Sequence, residues 1–515
     1  MKAVDHYTIH EVGIPSLVLM ERAALAVADC ALKAARAFAA HSPVWALCGV
    51  GNNGADAAAA ARMVYLKGLP AVIFLASSEE KATEELKLQL SIARKLGIPV
   101  KKWELMKEEA ENCGILFDGL FGVGLSREIQ GEYRACMELA AEILKGNGKT
   151  KPWCIAVDIP SGIHSGTGAV MGIALKADET VAFGWEKIGT AVYPGRDYAG
   201  NVTVADIGFP EEALRAEPEE EDPISMAYAC EESDLKRKAY SNKGTFGRVL
   251  IAAGSKNMSG AAYLSALGAY RAGAGLVKIL TVEENRTVLQ TLLPEAIISS
   301  YRPEELLGGR EDFKERIEAE MNWADVVVLG PGLGSEPYVE YLVEDILTSA
   351  FVPVIIDADG LNTIASHPYL TSYYTENIVI TPHLGEMARL TSQKISEIQA
   401  DLPAAAFSYA SHYGITCVLK DAAAVTAGKE GTLYINTSGS SAMAKAGSGD
   451  VLTGILAGLM ALGMEEEEAA ALGVYIHGLA GERAAGNKLH SLLASEIAEA
   501  AGAFMDRQKE EIKTK

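Results

Sequence analysis

Short, wholly apolar runs alternate along this chain with alanine-rich stretches of helical length, and almost every apolar run ends on a glycine, an amide or a carboxylate. In the first half the runs fall at 44–48, 72–75, 115–118, 155–158, 180–183 and 202–204; in the second they fall at 249–253, 326–329, 354–356, 378–380 and 417–419. Runs that are apolar throughout, rather than at every second position, suit strands covered on both faces, which is the condition inside a parallel sheet. The stretches at 17–40, 82–96 and 260–272, and one running from the turn after residue 54 to about Lys67, read as helices, the first with Ser16 as a candidate cap behind Pro15. Another, 451–464, opens directly from a glycine-rich turn and carries no charge. Strand, turn and helix in repeated alternation predict an α/β protein of two domains: a Rossmann-like α/β/α sandwich, then a second α/β domain with a mostly parallel sheet.

The run Glu217-Pro218-Glu219-Glu220-Glu221-Asp222-Pro223 breaks this pattern and reads as an exposed linker. It divides the chain into an expected domain at 1–212, an acidic linker at 213–235 and a second domain at 236–515. A length of 515 residues supports two such cores. The net charge of -22 argues against nucleic acid or an anionic membrane as partner, since either asks for a basic surface; small anionic nucleotides remain open, because a few helix ends and one lysine can build a positive pocket. Seven scattered cysteines with no C-x-x-C spacing, a polar start without an apolar signal core, and a longest apolar stretch that stops at Glu465 predict a soluble cytoplasmic protein, expected to be a homo-oligomer.

Candidate chemistry sits at the strand ends. In the first domain, Asn53, Asp118, Asp158 and Ser161 all follow apolar runs, and in an open parallel sheet those ends share one crevice. Each alone is an ordinary loop cap; together they suggest a site. In the second, Gly447-Ser448-Gly449-Asp450 joins two glycines to a helix start, where unpaired amides and the helix dipole favour an anion. Asp450 at its rim can take a proton from a hydroxyl while those amides hold phosphate oxygens.

These residues, with Leu19-Met20-Glu21-Arg22-Ala23, Gly51-Asn52-Asn53-Gly54, the run from Asp118 to Leu125, Val157-Asp158-Ile159-Pro160-Ser161-Gly162, Gly244-Thr245-Phe246-Gly247, Gly330-Pro331-Gly332-Leu333-Gly334, Asp357-Ala358-Asp359 and Thr381-Pro382-His383, occur in the order of one family. The whole chain resembles the bifunctional NAD(P)H-hydrate repair enzymes, in which an epimerase domain precedes an ADP- or ATP-dependent dehydratase domain of ribokinase-like fold. The resemblance implies potassium on Asn53, Asp118 and Ser161. It places the hydrated nucleotide, NADHX or NADPHX, on Asn52, Asn53, Gly54, Ala55 and Asp56, on Gly122, Val123, Gly124, Leu125, Ser126, Arg127 and Glu128, and on Asp158 as the proton-transfer group. In the second domain it places the hydrate on Ala261, Gly332, His383 and Asp450, and the co-substrate, ADP or ATP with magnesium, on Lys420, Asp421, Ala422, Ala423, Ala424 and Gly449. The amides of Gly447, Ser448 and Gly449 would hold the transferred phosphoryl group while Asp450 acts as base. ADP is the expected nucleotide. One motif departs: where the family usually continues Gly-Gly-Asp-Gly, this chain has Gly54-Ala55-Asp56-Ala57, and the added methyls are expected to crowd the approach to phosphates. Two alternatives stay open: a ribokinase-like small-molecule kinase, and a first domain that only binds or assembles.

Overall fold

The computed structural model describes residues 2–37, 43–146, 151–210, 212–213, 240–308 and 310–505. The acidic run 217–223, all of the expected linker except residue 213, and the tail 507–515 lie outside the described residues. The chain divides into two units, Met1–Asp222 and Pro223–Lys515.

The strands of the first unit are β1 (Val44–Cys48), β2 (Ala71–Leu75), β3 (Val100–Lys102), β4 (Ile115–Gly119), β5 (Trp153–Val157), β6 (Glu179–Phe183) and β7 (Asn201–Ala205). They form a parallel sheet in the order β3-β2-β1-β4-β5-β6-β7. Alternate side chains of β1 feed two cores: Val44, Ala46 and Cys48 join one, Trp45 and Leu47 the other. The chain order reverses between β1 and β4, so the loops leaving these strands open a crevice at the sheet's carboxyl edge.

The turn from β1 into the helix Asn52–Leu66 runs close against neighbouring backbone. A Cβ on Gly54 would stand 2.0 Å from the carbonyl oxygen of Gly49, and one on Gly49 2.0 Å from that of Leu120. Only glycine fits either place. Ala55 and Ala57 to Ala61 are fully buried, and Ala57 packs where a Cβ on Gly119 would come within 2.5 Å. The methyls of Ala55 and Ala57 therefore belong to the apolar core and do not crowd the crevice, contrary to the expectation from the motif.

The second unit carries β8 (Arg248–Ala252), β9 (Leu276–Val282), β10 (Ile297–Tyr301), β11 (Val326–Leu329), β12 (Val354–Ile356), β13 (Ile378–Ile380), β14 (Thr416–Leu419), β15 (Val425–Ala427) and β16 (Leu433–Ile435). Their order is β10-β9-β8-β11-β12-β13-β14-β15-β16, parallel except for the antiparallel pairs β14-β15 and β15-β16. The helix Ser448–Ala461 is buried on nearly every side, as the lack of charge from Val451 onward predicts, and begins three residues before the expected 451, so the glycine turn forms its first turn. It crosses the helix Ser259–Arg271 closely: a Cβ on Gly454 would stand 2.1 Å from the carbonyl of Ser265. Among the described residues no helix is long and apolar enough to cross a membrane.

Candidate active sites

In the first unit Asn53, Asp118 and Ser161 meet around the backbone of Phe121. The Asn53 side-chain amide donates to the Phe121 carbonyl at 3.0 Å, and the Phe121 N–H donates to the Ser161 hydroxyl oxygen at 2.9 Å. The Ser161 N–H in turn donates to Asp118 Oδ2 at 2.7 Å. Asp118 is fully buried, and burial pushes its carboxyl up to about 6, against the lowering pull of hydrogen bonds from Ser161 and Leu120. This is a set of hard oxygen donors around one buried carboxylate that, among the described residues, has no lysine or arginine as a partner. It fits a singly charged cation by chemistry and by charge.

Asp158 follows β5 with φ 70, a conformation that non-glycine residues seldom adopt. Its Oδ1 accepts hydrogen bonds from the Phe183 N–H, at 2.9 Å, and from the Lys187 ammonium. Asp56 and Asp5 face the same group. Burial first, and then the charge of Asp158, pushes Asp56 well above the usual carboxylate range and raises Asp5 as well. Of the segment 52–56, Gly54 and Ala55 are buried, which leaves Asn52, Asn53 and Asp56 to offer side chains. Gly122 lies against Asn53, within 3.3 Å of its Cγ for an added Cβ; Val123 and Leu125 are half-buried, and Gly124, Ser126, Arg127 and Glu128 are exposed on the loop that leaves β4. Lys187 and Asp5 escaped the sequence reading, because neither ends an apolar run.

In the second unit the centre is Asp357, at the end of β12 and only 1% exposed. The Lys420 ammonium donates to its Oδ1 at 2.6 Å and the Thr453 hydroxyl to its Oδ2 at 2.9 Å. Burial pushes the Asp357 carboxyl up, but Lys420, Thr381 and Thr453 outweigh it and hold it below its ordinary value. Burial likewise lowers the Lys420 ammonium, and Asp357, Glu386 and Asp450 outweigh that, so it stays protonated. A Cβ on Gly449 would stand 3.4 Å from Lys420 Nζ, which puts the cation at the mouth of the helix Ser448–Ala461. Asp450 is half-buried on the first turn; burial, then the charge of Asp357, pushes its carboxyl up to about 6, with Lys420 opposing.

Ala261 and Gly332 are neighbours, 2.8 Å from the Ala261 Cβ to a Cβ placed on Gly332. His383 caps the helix Leu384–Thr391: its Nδ1 accepts from the N–H groups of Gly385, at 2.9 Å, and Glu386, at 3.2 Å. That fixes the proton on Nε2, which lies 3.3 Å from Glu386 Oε1. Burial, then Lys420 and Arg389, lowers the His383 imidazole, so the ring is neutral at neutral pH. Within 420–424, Lys420 alone reaches the helix mouth. Asp421 and Ala422 are exposed, while Ala423 and Ala424 bury their methyls and have only backbone to offer a ligand. Ser448 turns its hydroxyl to the buried His477, 3.3 Å from Nε2. Thr453, Glu386 and His477 were not legible as site residues: Thr453 and His477 gain their places through partners distant in sequence, and Glu386, tied locally to His383, faces Lys420 only in the fold.

The chain was compared with known proteins. A family described as NAD(P)H-hydrate dehydratase matches residues 249–502, and one described as YjeF-related protein N-terminus matches residues 16–189. The bifunctional NAD(P)H-hydrate repair enzyme of Thermofilum pendens is 36% identical over 495 residues, covering 94% of this chain and 91% of that one. The protein of the same description from Moorella thermoacetica is 33% identical over 522 residues, covering 100% and 97%, and that of Escherichia coli is 31% identical over 436 residues, covering 85% and 79%. Among solved structures, an ADP/ATP-dependent NAD(P)H-hydrate dehydratase from Bacillus subtilis co-crystallised with ATP and Mg2+ is 31% identical and covers 52% of this chain and 92% of its own, with a TM-score of 0.45.

Proposed function

The chain belongs to the family of bifunctional NAD(P)H-hydrate repair enzymes, and from that premise we propose how its two sites divide the work: the first unit interconverts the R and S forms of the hydrated nicotinamide cofactor, and the second removes water from the S form at the cost of ADP or ATP. The observation that carries the second half is Asp450 beside Lys420 and Gly449 at a helix start. Asp450 takes the proton of the substrate hydroxyl, whose oxygen attacks the terminal phosphorus, and the nucleotide leaves one phosphate shorter. The ring then expels inorganic phosphate and loses a proton from the adjacent carbon, which restores the double bond. Hydroxide leaves badly and phosphate leaves well; the amides of the helix start and Lys420 stabilise the charge spread over the phosphoryl oxygens. Magnesium would travel on the nucleotide phosphates and add positive charge to the phosphoryl oxygens.

In the first unit the hydroxyl departs as water once protonated, the ring nitrogen's lone pair forms a C=N bond, and water returns to the other face and gives up a proton. Asp158 is the proton-transfer group. Asn53, Asp118 and Ser161 would hold potassium, whose positive charge would offset the buried Asp118 and fix the three oxygen groups. Potassium should therefore raise the melting temperature of the first unit at pH 7, and Asp118→Asn should remove that rise and slow epimerisation while dehydration of the S form is unchanged; thermal unfolding with lithium in place of potassium is the check.

Assaying both hydrate epimers with ADP and ATP in turn tests the whole reading. Free phosphate together with recovered reduced-cofactor absorbance supports it, whereas an accumulating phosphorylated alcohol shows a kinase instead. The same assay carries a pH prediction. Asp450 acts as a base only when ionised, so the dehydration rate should climb with pH through about 6 and then level. A limb near 4 would mean that burial does not tune this group.

A further inference from the structure

Lys187 lies between β6 and the short helix Ile188–Ala191, and its side chain is only 3% exposed. An ammonium so far from water is unfavourable unless it is partnered. Its partners form a closed lock. Nζ donates to Asp158 Oδ1 and to the Phe183 carbonyl, the latter at 2.9 Å, and the Phe183 N–H donates to the same Oδ1 at 2.9 Å. The Asp158 N–H is tied to the Val181 carbonyl at 2.9 Å, so backbone and carboxylate are both anchored to β6. The left-handed φ of 70 at Asp158 is strained in a non-glycine residue and persists where surrounding contacts enforce it. With Oδ1 occupied twice, Oδ2 accepts no hydrogen bond among the described residues.

We infer that Lys187 is the positioning residue of the epimerase site: it pins one oxygen of Asp158 so that the other is the atom that meets the hydrated ring. The inference rests on the reading of Asp158 as the proton-transfer group. Asp56, on the helix Asn52–Leu66, and Asp5, on the helix Lys2–His6, also face Asp158. Burial, then the charge of Asp158, pushes the Asp56 carboxyl up. The hydroxyl of the hydrate takes a proton from solvent and leaves as water as the C=N bond forms. The free oxygen of Asp158 then takes a proton from the water that adds to the opposite face, and exchange with solvent resets the carboxylate. Lys187 touches no reacting atom. Without it the carboxylate can rotate, and the oxygen that must accept the proton is no longer fixed.

The test uses the full chain, following interconversion of the two hydrates without nucleotide, so that the second site is silent, and dehydration of the S form with nucleotide as the internal control. Lys187→Met should lower the epimerase kcat by about a hundredfold, the scale expected for a misplaced catalytic group. KM should stay within about twofold and dehydration should be unchanged. Lys187→Arg, which keeps the charge on a bulkier planar head, should recover part of the loss. An epimerase kcat within about threefold of wild type in Lys187→Met, or a loss confined to KM, overturns the inference. If that variant does not fold, Lys187→Arg decides: a reduced kcat at unchanged KM supports it and a wild-type kcat overturns it. Asp158→Asn runs alongside. If it is inactive while Lys187→Met is not, the inference alone fails; if it turns over normally, the reading of Asp158 falls first.

Discussion

Asp450→Asn should lower the dehydration rate by about a thousandfold, within the range that a general base supplies, while nucleotide affinity stays within about twofold of wild type. The substitution keeps the shape and polarity of the side chain but cannot accept the hydroxyl proton. Everything that would hold the nucleotide remains: the helix start at Ser448, the Gly449 amide, and Lys420 locked to Asp357. Epimerisation of the hydrate should be untouched, which makes the same protein its own control. Stability should move the other way. Burial raises the Asp450 carboxyl to about 6 in the folded chain, above its unfolded value. The folded state therefore holds the proton more tightly, and stability falls as pH climbs from about 4 through about 6. A neutral asparagine escapes that loss, so at pH 7 the second unit should melt higher, with each kcal/mol recovered worth about 2–4 °C. Near-normal turnover in the variant would remove Asp450 from the mechanism, whatever its melting temperature.

The parts of the fold legible in the sequence were those whose stabilisation is local. Strands such as β1, β5 and β11 are apolar throughout, because both of their faces are covered, and they are visible as such. β3, β9 and β10 were not. β3 reads Val-Lys-Lys at a sheet edge, β9 carries Lys278 paired with Glu320 at 2.6 Å, and β10 carries Ser299 and Ser300. In each, polar side chains are tolerated because an edge or a distant partner satisfies them, and that partner cannot be read from spacing. The same distinction runs through the sites. Asp118, Asp158, Asp357 and Asp450 stand at strand ends or a helix start, where sequence order announces them. Lys187, Thr453 and His477 meet their partners in the site only through long-range contacts, and Glu386, held locally by the His383 cap, meets Lys420 only in the fold. The glycine turn misled in one respect, since whether Ala55 and Ala57 face a ligand or the core depends on which side of the helix Asn52–Leu66 packs.

Lys420→Met should be the most destabilising of these changes, because it strands a charge rather than removing one. Asp357 is 1% exposed, and breaking a buried pair by deleting one partner costs about 3–5 kcal/mol. At about 2–4 °C per kcal/mol the second unit should then melt about 10 °C lower, with dehydration lost because the cation at the helix mouth is gone. Removing both charges, in Asp357→Asn with Lys420→Met, should restore much of the melting temperature and none of the activity, since Thr453 and Thr381 keep a polar partner but the phosphates do not. The dependence on pH separates this account from simple loss of packing. In the wild type the depressed Asp357 contributes stability above its unfolded value near 4 and loses it as pH falls through the folded one, while the raised Lys420 contributes below its own unfolded value and loses it only as pH rises beyond. In Lys420→Met the unpartnered Asp357 is governed by burial and takes up a proton more readily when folded, so that variant gains stability as pH falls. The gap between the two melting temperatures should therefore narrow from pH 7 towards pH 5. A gap that stays constant across that range would assign the loss to the missing aliphatic stem of Lys420 and not to the stranded carboxylate.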